Sequence, residues 1–236
     1  MDARIAAMKR VFLFLFVAAV LFAQAAPEVE ITAEPHHHLV FTNDQVRVFN
    51  VDVPAHTDTL LHRHRHDYIY VQLGDAEVVN AVQGKDPVTV KLQNGQVGFL
   101  SAGFAHVARN VAAQPFRNVT IEVLQDENLR KSSKHWDEDR GLEVLEGGTQ
   151  EILFVKDGIR VCEIELQPRG MVPVSLGPYL LVAVSDLELL QTEHNADIQA
   201  MDHIYLKAGE VQWFPAKHRS TLRNTRAAKF VVVEFP

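Results

Sequence analysis

The stretch LHRHRHDYIYVQLG, Leu61–Gly74, places three histidines at alternate positions directly before a run of residues that is typical of a β-strand. Successive side chains of a strand point to opposite faces of the sheet. His62, His64 and His66 therefore share one predicted face, and the arginines between them share the other. Imidazole is a common ligand of divalent metals, so the pattern permits a metal site without requiring one.

Short alternating apolar stretches continue through the rest of the chain. Examples are VRVFNVDV from Val46 and NVTIEV from Asn118, and turn sequences such as Asn94-Gly95 separate them. Many short strands with little helical periodicity predict an all-β sandwich or barrel. The length of 236 residues and the 47% hydrophobic content indicate a folded chain of one large or two small domains.

Three segments of the first half recur in the same order in the second half. VRVFNVDV from Val46 matches IRVCEIEL from Ile159, and YIYVQLGDAEV from Tyr68 matches YLLVAVSDLEL from Tyr179. The run that begins at Gly95 matches one that begins at Gly209. Because the three separations are nearly equal, the agreement predicts a duplicated domain. We place the first domain at residues 35–125, a charged linker at 126–149 and the second domain at 150–236.

The N-terminal segment, residues 1–25, has the pattern of a secretory signal peptide. Basic residues precede the apolar run Val11–Phe22, and Ala23-Gln24-Ala25 is a cleavage sequence. The apolar run is shorter than the roughly 20 residues that span a membrane. We expect residues 1–25 to be removed and the mature protein to be secreted or periplasmic, with no membrane attachment after signal cleavage.

Charge and cysteine content narrow the function classes. A net charge of −7 leaves no basic field for nucleic acid, which we exclude as a partner. Cys162 is the only cysteine, so an exported chain has no internal disulfide. Because Cys162 lies in the apolar run IRVCEIEL, we interpret it as a small buried side chain rather than a reactive thiol.

A second motif, GQVGFLSAGFAHVARN from Gly95 to Asn110, follows the histidine stretch. Two imidazoles from one strand and a third from a neighbouring strand can surround an ion inside a barrel. The two stretches resemble the paired motifs of the cupin superfamily, and the duplication makes the chain similar to a bicupin. The resemblance implies two double-stranded β-helix, or jelly-roll, barrels. It also implies one divalent metal ion bound by His62, His64 and His106, with Fe, Mn, Zn, Ni and Cu as candidates.

The glutamate ligand of that family has no counterpart here. Counted forward from His64, its position falls on Tyr68, and counted back from Gly74 it falls on Asp67. Parity places Tyr68 on the face of the histidines, whereas Asp67 would need a bulge to turn inward. We keep both as alternatives, either as a fourth metal ligand or as a residue that contacts the ligands without touching the metal.

Parity also predicts other residues of the pocket. His66 is on the inward face and could replace either strand partner, and Phe104 and Asn110 share a face with His106. All three are therefore expected to line the pocket. The run His36–His38 precedes a strand, and we interpret it as a surface terminus.

The second half lacks the predicted ligands. When Tyr68 is aligned with Tyr179, His62 meets Pro173 and His64 meets Ser175. When Gly95 is aligned with Gly209, His106 meets Ser220. His218 lies nearby without a histidine pair to join. We predict no metal in the second barrel, and a structural role in covering sheet edges.

Together, the predicted signal peptide and the resemblance imply an exported metal-binding bicupin that acts on a small molecule, with dioxygenase-like or isomerase chemistry as the enzymatic hypothesis. The alternative is a non-catalytic secreted module that holds a metal or a small ligand. A storage protein like the seed bicupins is a third hypothesis. By analogy with other cupin barrels, a homodimer is also expected.

Overall fold

The computed structural model describes residues 27–124, 136–137, 141–174, 177–193, 201–216 and 220–236. In these ranges the regular structure is β-strand apart from one 3-10 turn, Ile31–Ala33. The all-β prediction is confirmed. The predicted signal peptide and His218 lie outside the described residues. Within the described ranges, no helix has the length and apolar character needed to cross a membrane.

The first half of the chain forms two facing five-stranded sheets. Their strands are β1 (Val29–Glu30), β2 (His37–Thr42), β3 (Val46–Val53), β4 (His62–His64), β5 (Tyr68–Leu73), β6 (Ala76–Val82), β7 (Val88–Leu92), β8 (Val97–Leu100), β9 (Phe104–Asn110) and β10 (Phe116–Val123). One sheet has the order β1-β4-β9-β6-β7 and the other has the order β2-β3-β10-β5-β8. This is a jelly-roll sandwich.

The second half forms a seven-stranded and a four-stranded sheet. Its strands are β11 (Trp136–Asp137), β12 (Gly141–Leu145), β13 (Gly148–Lys156), β14 (Ile159–Leu166), β15 (Met171–Val174), β16 (Tyr179–Ala183), β17 (Leu187–Glu193), β18 (Met201–Leu206), β19 (Val211–Phe214), β20 (Ser220–Asn224) and β21 (Ala228–Glu234). The larger sheet has the order β11-β13-β14-β21-β16-β19, with β12 paired to β13, and the smaller has the order β15-β20-β17-β18.

The two halves are built alike. Strands β3 and β14, which match in sequence, have the same alternation of buried and exposed residues. Val53 of β3 pairs with Phe116 of β10, and Leu166 of β14 pairs with Ala228 of β21. The fold is therefore two cupin-like barrels, as the duplication predicted.

Some described strands lie outside the two predicted domain ranges. Strand β1 and buried Ile31 precede residue 35 and belong to the first barrel. Strand β12 pairs with β13 inside the predicted linker 126–149. The charged composition of this segment suggested that it is solvated. Strand β12 is indeed exposed, with Leu142 67% and Val144 81% exposed. Residues 125–135 and 138–140 of this region lie outside the described ranges.

The barrels share one apolar core. The sheet that contains β3 and β10 packs on the sheet that contains β14 and β21. The buried residues of this core are Val46, Val48, Ile69, Val71, Val119, Ile121 and Val123 from the first half, and Phe154, Ile159, Val161, Leu180, Val182, Val184, Val231, Val233 and Phe235 from the second. Each half buries apolar surface that would face water if the other were absent.

Two glycines at equivalent positions permit close approach at this interface. A Cβ atom on Gly95 would lie 2.6 Å from Lys229 Cε, and a Cβ on Gly209 would lie 2.9 Å from Leu73 Cδ1. Both glycines have positive φ, +82° and +91°. Each barrel thus places the same turn against its neighbour, which indicates an approximate two-fold arrangement.

The shared core predicts that the two barrels unfold together. Val119→Ala removes two methyl groups from the interface and should lower the free energy of unfolding by about 2 kcal/mol. In urea unfolding followed by circular dichroism, the variant should retain a single transition at lower urea concentration. Val88→Ala is the matched control, because Val88 is 59% exposed, and it should leave the midpoint unchanged. Two separate transitions, only one of them shifted, would contradict a shared core.

Candidate metal centre

Three predicted histidines converge through the pairing of β4 with β9. Antiparallel register places His62 opposite His106, while His64 follows on the same face of β4. The ring centroids of His62 and His106 are 4.5 Å apart, and His64 lies 5.1 Å from each. The structure therefore brings His62, His64 and His106 into one cluster, with His62 and His64 fully buried.

The closest contact in the cluster joins two ring nitrogens. His64 Nε2 lies 3.2 Å from His106 Nε2. Imidazole nitrogens bind zinc at about 2.0–2.1 Å, so two nitrogens on one ion lie about 3.0–3.4 Å apart when the angle between them is about 90–110°. The observed separation of 3.2 Å fits two ligands of one ion and also fits an N–H···N hydrogen bond from neutral His64 to His106.

Hydrogen bonds to carbonyl oxygens fix which nitrogen of the rings is available. His62 Nδ1 donates to the Leu60 carbonyl at 2.9 Å, and His106 Nδ1 donates to Asn80 Oδ1 at 2.7 Å. In a neutral ring, Nε2 is then unprotonated and its lone pair is available to a ligand. Among the described residues, His62 Nε2 is buried without a hydrogen-bond partner. A buried polar atom without a partner is costly and typically marks a place for an ion or a water.

A fourth histidine, His37, lies against the cluster. Its ring centroid is 4.6 Å from that of His62, and nitrogen atoms of His37, His62 and His64 all lie within 4.8 Å of one another. Interpreting the run His36–His38 as a surface terminus was wrong for His37, which is only 9% exposed, although His38 is exposed. The sequence offered little signal, since β2 begins at His37 and the position depends on pairing with Val51.

The two alternatives for the fourth ligand occupy different places. Tyr68 is buried and stacks on the His64 ring, with centroids 4.1 Å apart and planes at 20°. Burial raises the pKa of the Tyr68 hydroxyl, so it stays protonated. Asp67 lies in the turn between β4 and β5, where Oδ1 accepts a hydrogen bond from Ala102 N at 2.7 Å. It thus orders the turn.

The remaining predicted pocket residues also separate. Phe104 packs against the rings of His64 and His106, at 5.6 and 5.3 Å between centroids. His66 lies half-buried in the turn after β4. The strand ends at His64, so the alternation of side chains between the two faces does not extend to His66. His66 does not line the described cavity next to the histidines.

Asn110 has a structural position instead of a place in the pocket. Its Nδ2 donates to the carbonyls of Val53, Pro54 and Gln114 at 2.8–3.0 Å. Its counterpart Asn224 donates to the Leu166 carbonyl in the second barrel. The same bond in both halves shows that this amide orders the strand end, and Asn110 is not among the described residues that line the cavity. Parity alone could not separate these roles.

Burial governs the charge of the cluster. Desolvation, with repulsion from the neighbouring rings, lowers the pKa of His62 to about 4, of His106 to about 3 and of His64 to about 2. In the absence of metal these rings are therefore neutral at pH 7. Neutral imidazole is the form that binds metals.

A cavity of about 290 Å³ adjoins the histidines inside the first barrel. Its walls are mostly apolar or aromatic. It is lined by His37, Val51, Thr59, His62, His64, Tyr68, Tyr70, Val78, Asn80, Val90, Leu92, Gly98, Phe99, Leu100, His106, Ala108, Phe116, Asn118 and Thr120. None of these lining residues of the described chain is an arginine, lysine, aspartate or glutamate.

The second barrel has packed side chains where the first has histidines. Strand pairing places Val174 opposite Ser220, as His62 lies opposite His106, so the counterpart of His62 is Val174 and not Pro173. The alignment assumed from the sequence was wrong by one position because the loop lengths differ. Ser220 Oγ accepts from Gln191 Nε2 at 3.1 Å, where the first barrel has the pair His106 and Asn80.

Apolar residues fill the interior around these positions. They are Ile164, Leu166, Val172, Val174, Tyr179, Leu181, Ala183, Leu187, Leu189, Ile204, Phe214, Leu222, Ala228, Phe230 and Val232. Cys162, on the same strand as Ile164, is buried, and burial raises its pKa to about 11. Within the described residues, the second barrel offers no group of metal ligands.

Solved structures with the same fold support this architecture. The chain is similar to a tryptophan-to-tyrosine variant of oxalate decarboxylase from Bacillus subtilis, with 11% identity, a TM-score of 0.58, and coverage of 86% of this chain and 75% of that one. Oxalate decarboxylase from Lactobacillus farciminis, in a formate complex, has 13% identity, a TM-score of 0.56, and coverage of 85% and 84%. An 11S globulin from Wrightia tinctoria, described with an auxin binding site, has 10% identity, a TM-score of 0.60, and coverage of 80% and 75%. These likenesses show the cupin fold. No protein-family model and no curated protein sequence matches the chain.

The lowered pKa values predict that acid destabilises the metal-free protein. The unfolded chain gains protons on its histidines below about pH 6.5 while the buried rings stay neutral, so the free energy of unfolding falls as the pH falls from about 7 to about 5. His64→Gln should remove about 2 kcal/mol of that fall, measured by urea unfolding at the two pH values. His38→Gln, at an exposed ring, should keep the full fall. An equal fall in wild type and His64→Gln would contradict the buried neutral ring.

Proposed function

We propose that the first barrel binds one divalent metal ion through Nε2 of His62, His64 and His106 and presents it to a small molecule in the adjoining cavity. The observation that carries this proposal is the buried Nε2 of His62, which has no hydrogen-bond partner among the described residues and lies in the same cluster as the His64 and His106 rings. Neutral His64 can donate its Nε2–H to His106 Nε2 across 3.2 Å, but His62 Nε2 has no such partner among the described residues. A cation bound between the three rings would give this buried nitrogen a partner.

The side chains around the rings hold the ligand set ready. The Leu60 carbonyl and Asn80 fix the tautomers of His62 and His106, while Tyr68 and Phe104 restrict the His64 ring. Rings held in place lose little freedom on binding, which favours affinity. Nitrogen donors suit Zn, Fe, Ni and Cu better than they suit Mn, the ion of a B. subtilis oxalate decarboxylase structure.

A bound ion would supply Lewis acidity or, if it is redox-active, a site for dioxygen chemistry. The chain's own contribution is the cavity wall. Val51, Val78, Leu92 and Phe116 give the cavity apolar surface, and Asn118 and Thr120 are polar groups of the same lining that can orient a ligand.

The cavity chemistry favours an uncharged, largely apolar substrate. The described lining residues include no arginine or lysine, so a dicarboxylate such as oxalate would have no basic side chain as a partner. A phenol or a carbonyl compound could contact the ion through oxygen while its carbon skeleton packs on the valine and phenylalanine walls. We propose this class in place of the substrate named for the oxalate decarboxylases.

A second candidate is a metal-dependent binding module without turnover. One observation favours it: the described lining residues include no carboxylate or lysine that could act as a general acid or base, and the raised pKa of the Tyr68 hydroxyl makes it a weak proton donor. Export to the periplasm or the medium, and pairing of two copies, remain proposals that suit either candidate.

Metal analysis tests the ligand set. Purified full-length protein should bind one equivalent of zinc or cobalt by elemental analysis, and His62→Ala and His106→Ala should each lower the affinity by at least 100-fold. His203→Ala is the matched control, because His203 is an exposed histidine of the second barrel. Undiminished stoichiometric metal in the His62→Ala/His106→Ala double variant would overturn the site.

Filling the cavity separates metal binding from ligand binding. Ala108 lines the cavity on the strand that carries His106, so Ala108→Phe should retain the metal while abolishing binding of phenols. Ala113→Phe, at an exposed alanine, should behave as wild type.

Dioxygen uptake and product formation with phenols, thiols, sugar acids and oxalate distinguish the two candidates. Turnover of an uncharged phenol by wild type, lost in Ala108→Phe, would support the enzyme. Binding of phenols without turnover under any of the candidate metals would support the binding module. Preferential turnover of oxalate would contradict the proposed substrate class.

A further inference from the structure

We infer that residues 28–38, which we call the N-terminal strap, belong to the metal centre and deliver His37 as its fourth ligand. The inference rests on the proposed metal site and adds a ligand that lies outside both sequence motifs. It also replaces Asp67 and Tyr68, the two residues first considered for that position.

The strap is docked on the strand that carries two of the ligands. Strand β1 pairs in parallel with β4, with Val29 beside His62 and Glu30 beside Arg63. Parallel pairing of so short a strand is weak by itself, so side chains must add to it.

The arginines of the HRHR sequence supply those contacts. Arg63 donates to the Glu28 carboxylate at 2.7 Å, and Arg65 donates to Glu30 at 2.8 Å. One face of β4 thus points its histidines at the cavity, while the other face uses its arginines to hold the strap. The alternation in the sequence serves two sets of contacts.

A buried carboxylate fixes the middle of the strap. Glu34, whose side chain is fully buried, accepts hydrogen bonds from Leu60 N at 3.1 Å and from His36 N at 2.8 Å. Its Oε2 also accepts from His37 Nδ1 at 2.6 Å. Burial raises the pKa of this carboxyl, but the hydrogen bonds outweigh burial and the pKa lies below its usual value.

The bond from Glu34 prepares His37 as a ligand. Because Nδ1 carries the proton, Nε2 of the neutral ring is unprotonated and can bind a metal ion through its lone pair. A carboxylate that accepts from the far nitrogen of a metal-binding imidazole fixes the ring and raises its basicity. Two ligands on opposite sides of one ion are about 4.2 Å apart. One nitrogen atom from each of His37, His62 and His64 lies within 4.8 Å of the other two, close to that limit.

The consequence is a centre with four neutral ligands. No carboxylate would contact the ion, so its full charge would remain available to polarise a bound oxygen. Glu34 would balance that charge from behind His37.

Cobalt titration of the full-length protein tests the inference. His37→Ala should weaken Co(II) binding at least 10-fold and change the intensity of the visible absorption bands, which depends on coordination number. Glu34→Gln should weaken binding by about 10–100-fold through the ring it orients. His38→Ala, at the next and exposed residue, should match wild type in both affinity and spectrum.

Two further measurements keep the result interpretable. His37→Gln, which can still bond to Glu34, guards against loss of folding, and thermal unfolding of each metal-free variant reports that loss directly. Added imidazole should restore the wild-type spectrum to His37→Ala, which a purely structural histidine would not allow. Wild-type affinity and spectrum in folded His37→Ala and His37→Gln would overturn the strap ligand. Retention of metal by His62→Ala would instead overturn the proposed site itself.

Discussion

The antiparallel pairing of β4 with β9 places His62 opposite His106, and the rest of the site depends on this register. A shift of one residue would turn His62 and His64 to the outer face and bring Arg63 inward. The register is fixed on both sides of β4, by β9 on one edge and by β1 on the other. The two arginine–glutamate pairs of the strap oppose such a shift, because they require the arginines to face outward.

The duplicated architecture separates what the fold needs from what the site needs. Asn110 and Asn224 make equivalent bonds in the two barrels, so that amide belongs to the fold. The histidines have no such equivalents. In the second barrel, Val174 takes the place of His62 and Ser220 takes the place of His106. A barrel of this type therefore folds without them. Burying several rings with an unpartnered nitrogen is unfavourable unless a ligand compensates, which explains the site better than packing does.

Local patterns predicted much of this structure, and non-local contacts account for the rest. Alternation and repeated segments predicted the strands and the duplication, because these depend on parity within a strand or on a repeated segment. The set of His62, His64 and His106 was implied by the resemblance to the paired cupin motifs. His37 was missed because its place depends on pairing with Val51 and on Glu34, neither of which forms a recognisable motif. Parity failed for His66 because β4 ends at His64, and no pattern in the sequence marked that end.

The central claim is that the imidazoles of the first barrel hold a metal ion, and anomalous diffraction from crystals grown with zinc tests it most directly. Data collected on both sides of the zinc absorption edge locate the ion independently of any assumed ligand. The account predicts one strong anomalous peak per chain, within about 2.2 Å of Nε2 of His62, His64 and His106. A strong peak only at surface histidines such as His38, with none between these rings, would contradict it.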